Sequence, residues 1–143
     1  MLFTKEGFTL VEIMVALTIL LVGIIFAVSL GTEASKLNRI TTKGLAAQSA
    51  ASQIYELLSS VSYTDTLLSD DGDVTDLNNI VNPDHQRNVL VGFKTYPVIW
   101  NVADNRLMND IKPGYKTVII KVLNPDKTSQ VLYSITLIKG AGT

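Results

Sequence analysis

From Ile13 to Thr32 the chain runs twenty residues without an ionisable side chain, and few folds can accommodate that. As a helix rising ~1.5 Å per residue, such a run covers ~30 Å, the thickness of a bilayer's hydrocarbon core. A buried helix of a soluble domain is the first alternative, but a core helix keeps a polar face, and none shows here. A cleaved secretory signal is the second. "AVS" at Ala27–Ser29 offers a small-x-small site, yet the apolar stretch exceeds the usual ~7–15 residues and Lys5 is the only basic side chain before it. A membrane-length helix is therefore the expectation. One charge, Glu12, stands just before the uncharged run.

Orientation does not follow from basic residues. Lys36, Arg39 and Lys43 follow the span and Lys5 alone precedes it, so the positive-inside rule gives no clear answer. The 143 residues carry a net charge of −1 and no cysteine. That excludes a disulfide framework, thiolate metal sites and a lipoprotein anchor, and supplies no global field for nucleic acid. Length allows one domain with a modest core.

Beyond the span, Leu37, Ile40, Gly44, Ala47, Ala51, Ile54, Leu58 and Val61 recur at alternating steps of three and four, the seam of an amphipathic helix. One helix from Phe8 to about Ser60 is expected, its small residues suited to packing under a sheet rather than into a coiled coil. Ser69–Asp84 breaks the rhythm and reads as loop. Next come "NVLVGF" and "YPVIWNV", with Pro97 suggesting an edge or a strand start. "YKTVIIKVL" and "QVLYSITLI" form a hairpin closed by "NPDK", a type I turn signal. Val118, Ile120 and Val122 are expected on one face, matched by Val131, Tyr133, Ile135 and Leu137, with Trp100 in the core. Catalytic patterns are missing: the lone His85 beside Asp84 reads as a solvated pair, and no nucleophile, metalloprotease or phosphate-loop motif occurs. An enzyme is not expected.

Lys5–Ala16, "KEGFTLVEIMVA", resembles the processing site of type IV pilins and the related pseudopilins. It has a short leader ending in Gly7, then Phe8, then Glu12 at the fifth mature position inside an apolar helix. "YPVIWNV" followed by "KTVIIKV" is also similar to the minor pilin and minor pseudopilin branch. The resemblance implies an α+β pilin-like fold, a long N-terminal helix packed under a small antiparallel sheet. Its divisions are a cleaved leader over 1–7, a transmembrane and filament-core helix over 8–32, an amphipathic continuation over 33–62, and a loop plus sheet head over 63–143. It further implies cleavage by a prepilin peptidase between Gly7 and Phe8, N-methylation of Phe8, and assembly with other pilin subunits on an inner-membrane platform. The precursor is expected in the inner membrane with its N-terminus cytoplasmic, and the product in an extracellular or periplasmic filament. A minor pilin is the favoured role. The alternatives are a major pilin, a type II secretion pseudopilin, and a single-pass anchored domain that does not polymerise.

Within that resemblance Glu12 acquires a role. A carboxylate in hydrocarbon costs on the order of 2.5–3.5 kcal/mol and needs a partner; cleavage creates one, the amine of Phe8 on a neighbouring subunit. Such a pair works as a register device, because breaking it costs more than making it gains. Two further expectations concern the head. Asp70, Asp71 and Asp73 are the residues a calcium ion would use, but the EF-hand spacing fails, and a solvated turn without cofactor is preferred. Asp65 to Asp84 holds six acids and no base, and Lys112 to Lys139 five lysines against Asp126. The acidic loop of one head is thus expected to face Lys112, Lys116, Lys121 and Lys127 of a neighbour. DNA contact by these lysines is the lesser reading, since lysines on exposed strands are usually solubilising.

Overall fold

The computed structural model describes residues 9–105 and 114–142. The chain divides into two compact units between Thr41 and Thr42, and one helix, α1 (Leu10–Ser60), runs through both.

In the first unit α1 is apolar on all sides. Its large side chains stand exposed, from Leu10 at 77% to Leu30 at 70%, and the helix is long and apolar enough to cross a membrane. The hydroxyls in this stretch do not need water. Thr18 Oγ1 donates to Met14 O at 2.8 Å, Ser29 Oγ to Ile25 O at 2.9 Å and Thr32 Oγ1 to Ser29 O at 2.8 Å. Polar groups satisfied by the helix's own carbonyls carry a much smaller penalty in hydrocarbon. Leu37 and Ile40, which the heptad-like rhythm assigned to the buried seam, are exposed at 64% and 68%.

The second unit builds the core. β1 (His85–Val91), β2 (Lys94–Asp104), β3 (Tyr115–Asn124) and β4 (Lys127–Gly140) form an antiparallel meander in the order β1-β2-β3-β4. Ala47, Ala50, Ala51, Ile54 and Leu58 of α1 pack against Val98, Trp100 and Val102 of β2, Val118, Ile120 and Val122 of β3, and Leu137 of β4. Three alanines on the helix side leave room for Trp100, which is 2% exposed. The expected α+β, pilin-like architecture is the one found.

Register refines the strand expectations. Val118 opposes Leu137, Ile120 opposes Ile135 and Val122 opposes Tyr133. Shifts on either side of Leu123 place Val131 opposite Leu123 instead, and Val131 is 39% exposed. Pro97 lies inside β2 rather than at its start, but the β2·β3 ladder begins only at Val98, so β2 is locally an edge at the proline. Pro125 and Asp126 make the β3–β4 turn, where Asn124 Oδ1 accepts from Asp126 N at 3.0 Å. Gly92 opens the β1–β2 turn with φ +62°, as primed hairpin turns require.

Both faces of β2 are covered, Ile99, Asn101 and Ala103 being as buried as the core-facing residues. The segment between α1 and β1 does this. Its short 3-10 turn (Thr66–Leu68) is capped by Asp65, which accepts from Leu67 N at 2.9 Å. Trp100 Nε1 donates to Leu67 O at 2.9 Å. Asn101 Nδ2 donates to Asp76 O at 2.9 Å and Asn79 O at 2.7 Å, and Asn101 Oδ1 accepts from Asp84 N at 3.0 Å.

Candidate functional site

Among the described residues two places hold chemistry: the start of α1 and the acidic loop. Gly7 and Phe8 lie outside the described residues, as do the leader over 1–7 and Lys112. Glu12 sits in the first turn of α1. Thr9 Oγ1 accepts from Glu12 N at 3.3 Å, and Thr9 O accepts from Ile13 N at 3.2 Å. Threonine at the cap and glutamate three residues on is the capping-box spacing, legible in "TLVE" but missed by the sequence reading. A carboxylate also suits the positive end of the helix dipole.

In the loop, the carboxylates named from sequence hold turns. Asp70 Oδ1 accepts from Gly72 N at 2.7 Å and its Oδ2 from Asp104 N at 3.0 Å. Asp73 Oδ1 accepts from Thr75 N at 3.0 Å and Thr75 Oγ1 at 2.6 Å; these bonds, the hydroxyl's first, hold the Asp73 carboxyl below the usual range. Asp71 Oδ1 accepts from Asp73 N at 3.0 Å. Asp70, Asp71 and Asp73 therefore do not converge as a set. Asp71 converges instead with Asp76 and Asp84, one carboxylate oxygen from each lying within 4.8 Å of the others. Burial, then the neighbouring carboxylates led by Asp84, push Asp76 up. Burial also pushes Asp84 up, against the Val102 N–H that donates to its Oδ2 at 2.7 Å. Nothing in the local spacing marks 71, 76 and 84 as a group; β1 has to dock before Asp84 arrives.

The lysines correct the sequence reading. Lys116 and Lys121 are 7% and 8% exposed, and they meet the loop of their own chain. Lys116 Nζ donates to Leu68 O at 2.6 Å, stands 3.8 Å from Asp104 Oδ2, and lies 4.8 Å from the Tyr63 ring centroid. Lys121 Nζ donates to Asn78 O at 2.9 Å and Oδ1 at 3.1 Å, and burial lowers its pKa. These two ammoniums are spent inside the subunit, so an exposed contact with a neighbour or with DNA is not open to them. Lys127 remains exposed. Lys139, not singled out from sequence, is buried and donates from Nζ to Ser59 O at 2.7 Å. It brings a cation to the end of α1, whose last turn has no basic residue.

His85 is not a solvated pair with Asp84. Its ring stacks on Trp100 at 5.3 Å, and its Nε2 lies 2.9 Å from Ser69 O.

The geometry so far defines a class: an exposed apolar helix, capped at its start, continuing under a four-stranded antiparallel sheet. Comparison with known families makes the class specific. The model of the prokaryotic N-terminal methylation motif matches residues 3–28, and with the fold it supports a type IV pilin or pseudopilin-like precursor. The motif implies processing by prepilin peptidase, membrane association, and a structural subunit rather than an enzyme. No curated protein and no solved structure matches the chain significantly.

Proposed function

We propose that this chain is a subunit of a type IV pilus-like filament and, within it, a minor pilin. It is made as a prepilin anchored in the inner membrane with its N-terminus cytoplasmic, cut between Gly7 and Phe8, methylated at Phe8 and then polymerised. The observation that carries this reading is the methylation motif at residues 3–28 running directly into an exposed apolar helix that ends under a sheet. An anchor alone has no use for Gly7, Phe8 and Glu12 in register. In assembly the amine of Phe8 on one subunit meets Glu12 of the next, and the pair relieves both charges in an apolar filament core.

Mass spectrometry of sheared, purified filaments tests the proposal. A methylated Phe8 peptide at trace abundance supports the minor subunit. The same peptide as the dominant species makes this the major pilin. An uncut chain confined to membranes makes it an anchored domain. Glu12→Gln is expected to leave cleavage intact and remove the chain from filaments.

A further inference from the structure

Resting on the filament reading, we propose that the heads of this chain join edge to edge, β4 of one copy adding as a strand to β1 of the next. The sheet ends in two edges, β1 and β4. Among the described residues, no main-chain group outside the sheet bonds to the main chain of His85–Val91 or of residues 128–138. From Thr128 to Ile138, β4 carries no charge, proline or glycine, and the shifts in its pairing with β3 lie between Tyr133 and the turn. Sheet edges are commonly guarded by charge, proline, a bulge or a covering element. Most of β4 has none of these, which fits a strand that another strand covers.

Topology selects the partner strand. β1 and β3 run one way, β2 and β4 the other. Two heads side by side and pointing the same way therefore bring β4 next to β1 in the antiparallel sense. Pairing β4 with β4, or β1 with β1, needs one head inverted or turned over, which chains anchored in one direction through one membrane do not allow. The β4-to-β1 contact is head-to-tail and leaves a free edge at each end, so it propagates instead of closing at a dimer.

The side chains agree. Arg87, Val98, Val122 and Tyr133 form one row of cross-strand partners, so level pairing sets Tyr133 of one copy against Arg87 of the next. Arg87 is exposed and, among the described residues, forms no ion pair; an aromatic face suits a guanidinium. Arg87 also borders a groove of about 340 Å³ between β1 and α1, lined by Gln53, Ile54, Leu57 and Val89. Tyr133 and Ile135 pack against the core from β4 but are only half-buried. Added beside β1, they turn their open flanks to that groove. Matching of faces limits the register to steps of two residues, ~7 Å along the strands.

Cysteine pairs test the contact, since the chain has no cysteine of its own. Gln86 and Ser134 end a second row, through Ile99 and Lys121, and both are exposed. Within one head they stand three strand spacings apart, roughly 14 Å, beyond the ~7 Å reach of a disulfide. Any bond between them therefore joins two copies. The full-length Gln86→Cys/Ser134→Cys chain is oxidised in sheared filaments and, separately, concentrated in detergent. Dimers, trimers and longer ladders are expected in both. Leu132→Cys or Thr136→Cys in place of Ser134→Cys covers the registers two residues either way, and a ladder from any one of the three supports the pairing. The opposite-face pair Gln86→Cys/Ile135→Cys should give about tenfold less. Arg87→Ala in the cross-linking chain should lower the ladder about threefold or more without moving the unfolding midpoint. Filaments that contain the chain but give no ladder in any register overturn the edge pairing and leave the filament reading standing. A detergent ladder from a chain that never enters filaments does the reverse. Strong dimers from Ser134→Cys alone show β4 pairing with β4 and overturn the proposal.

Discussion

Replacing Lys116 distinguishes a folding role from an assembly role. Its ammonium is 2.6 Å from Leu68 O, 3.8 Å from Asp104 and 4.8 Å from the Tyr63 ring centre, at 7% exposure. A hydrogen bond from a charged donor contributes ~1.5–3 kcal/mol, and a sheltered cation–π contact adds ~0.5–2 kcal/mol. Asp104 keeps one partner after the change, since Tyr63 Oη donates to it at 3.1 Å. Lys116→Ala should therefore cost roughly 3 kcal/mol. In a head of this size that lowers the unfolding midpoint by about 10 °C or more. Lys116→Glu should cost more, because it sets a second carboxylate beside Asp104. The assay is thermal unfolding of the full chain in detergent, followed by Trp100 fluorescence. Variants that melt within about 2 °C of the parent yet fail to enter filaments would refute the reasoning and return Lys116 to the subunit interface.

Three further outcomes are expected. Burial raises the pKa values of Asp76 and Asp84, so the folded state takes up protons more readily than the unfolded chain. Their contribution is lost as pH rises through those folded values, so stability should increase on acidification from neutral toward the usual carboxylate range; a melt series across pH 4–7, as a rough window, checks the sign. Leu58 is fully buried under the sheet, and Leu58→Ala should cost ~2–5 kcal/mol in denaturant unfolding. Gly92→Ala meets no atom within 4 Å but must hold φ +62°, so it should cost ~1 kcal/mol through backbone strain alone.

What the sequence made legible was periodic. The three-four rhythm located the helix and its end, and alternation located β3 and β4, because both patterns are written locally. The rhythm overran at Leu37 and Ile40, which are spaced like core residues although they lie in the first unit and are exposed. The lysines misled for a related reason. Lys116 continues the face of Val118, Ile120 and Val122, and Lys139 that of Leu137 and Ile135, so alternation alone points them inward. Judged by charge they were put outside. Long stems resolve the conflict, carrying each ammonium to a carbonyl at the core's border. The trio of Asp71, Asp76 and Asp84 was beyond local reading, since it depends on where the loop crosses β2.

The loop is gripped mainly by its main chain. Leu67 O, Leu68 O, Asp76 O, Asn78 O and Asn79 O receive the sheet's donors, and every residue type has a carbonyl. Val81, 91% exposed, can therefore be exchanged without loosening a single one of those bonds. The fixed side chains are Trp100, Asn101, Lys116 and Lys121 on the sheet, joined on the loop by Asp70, Asn78 and Asp84, whose side-chain oxygens also accept from the sheet. Much of the loop's outward face is thus free to vary in sequence while its path is held constant from beneath, and epitopes or tags can be written onto the subunit there with little cost to its fold.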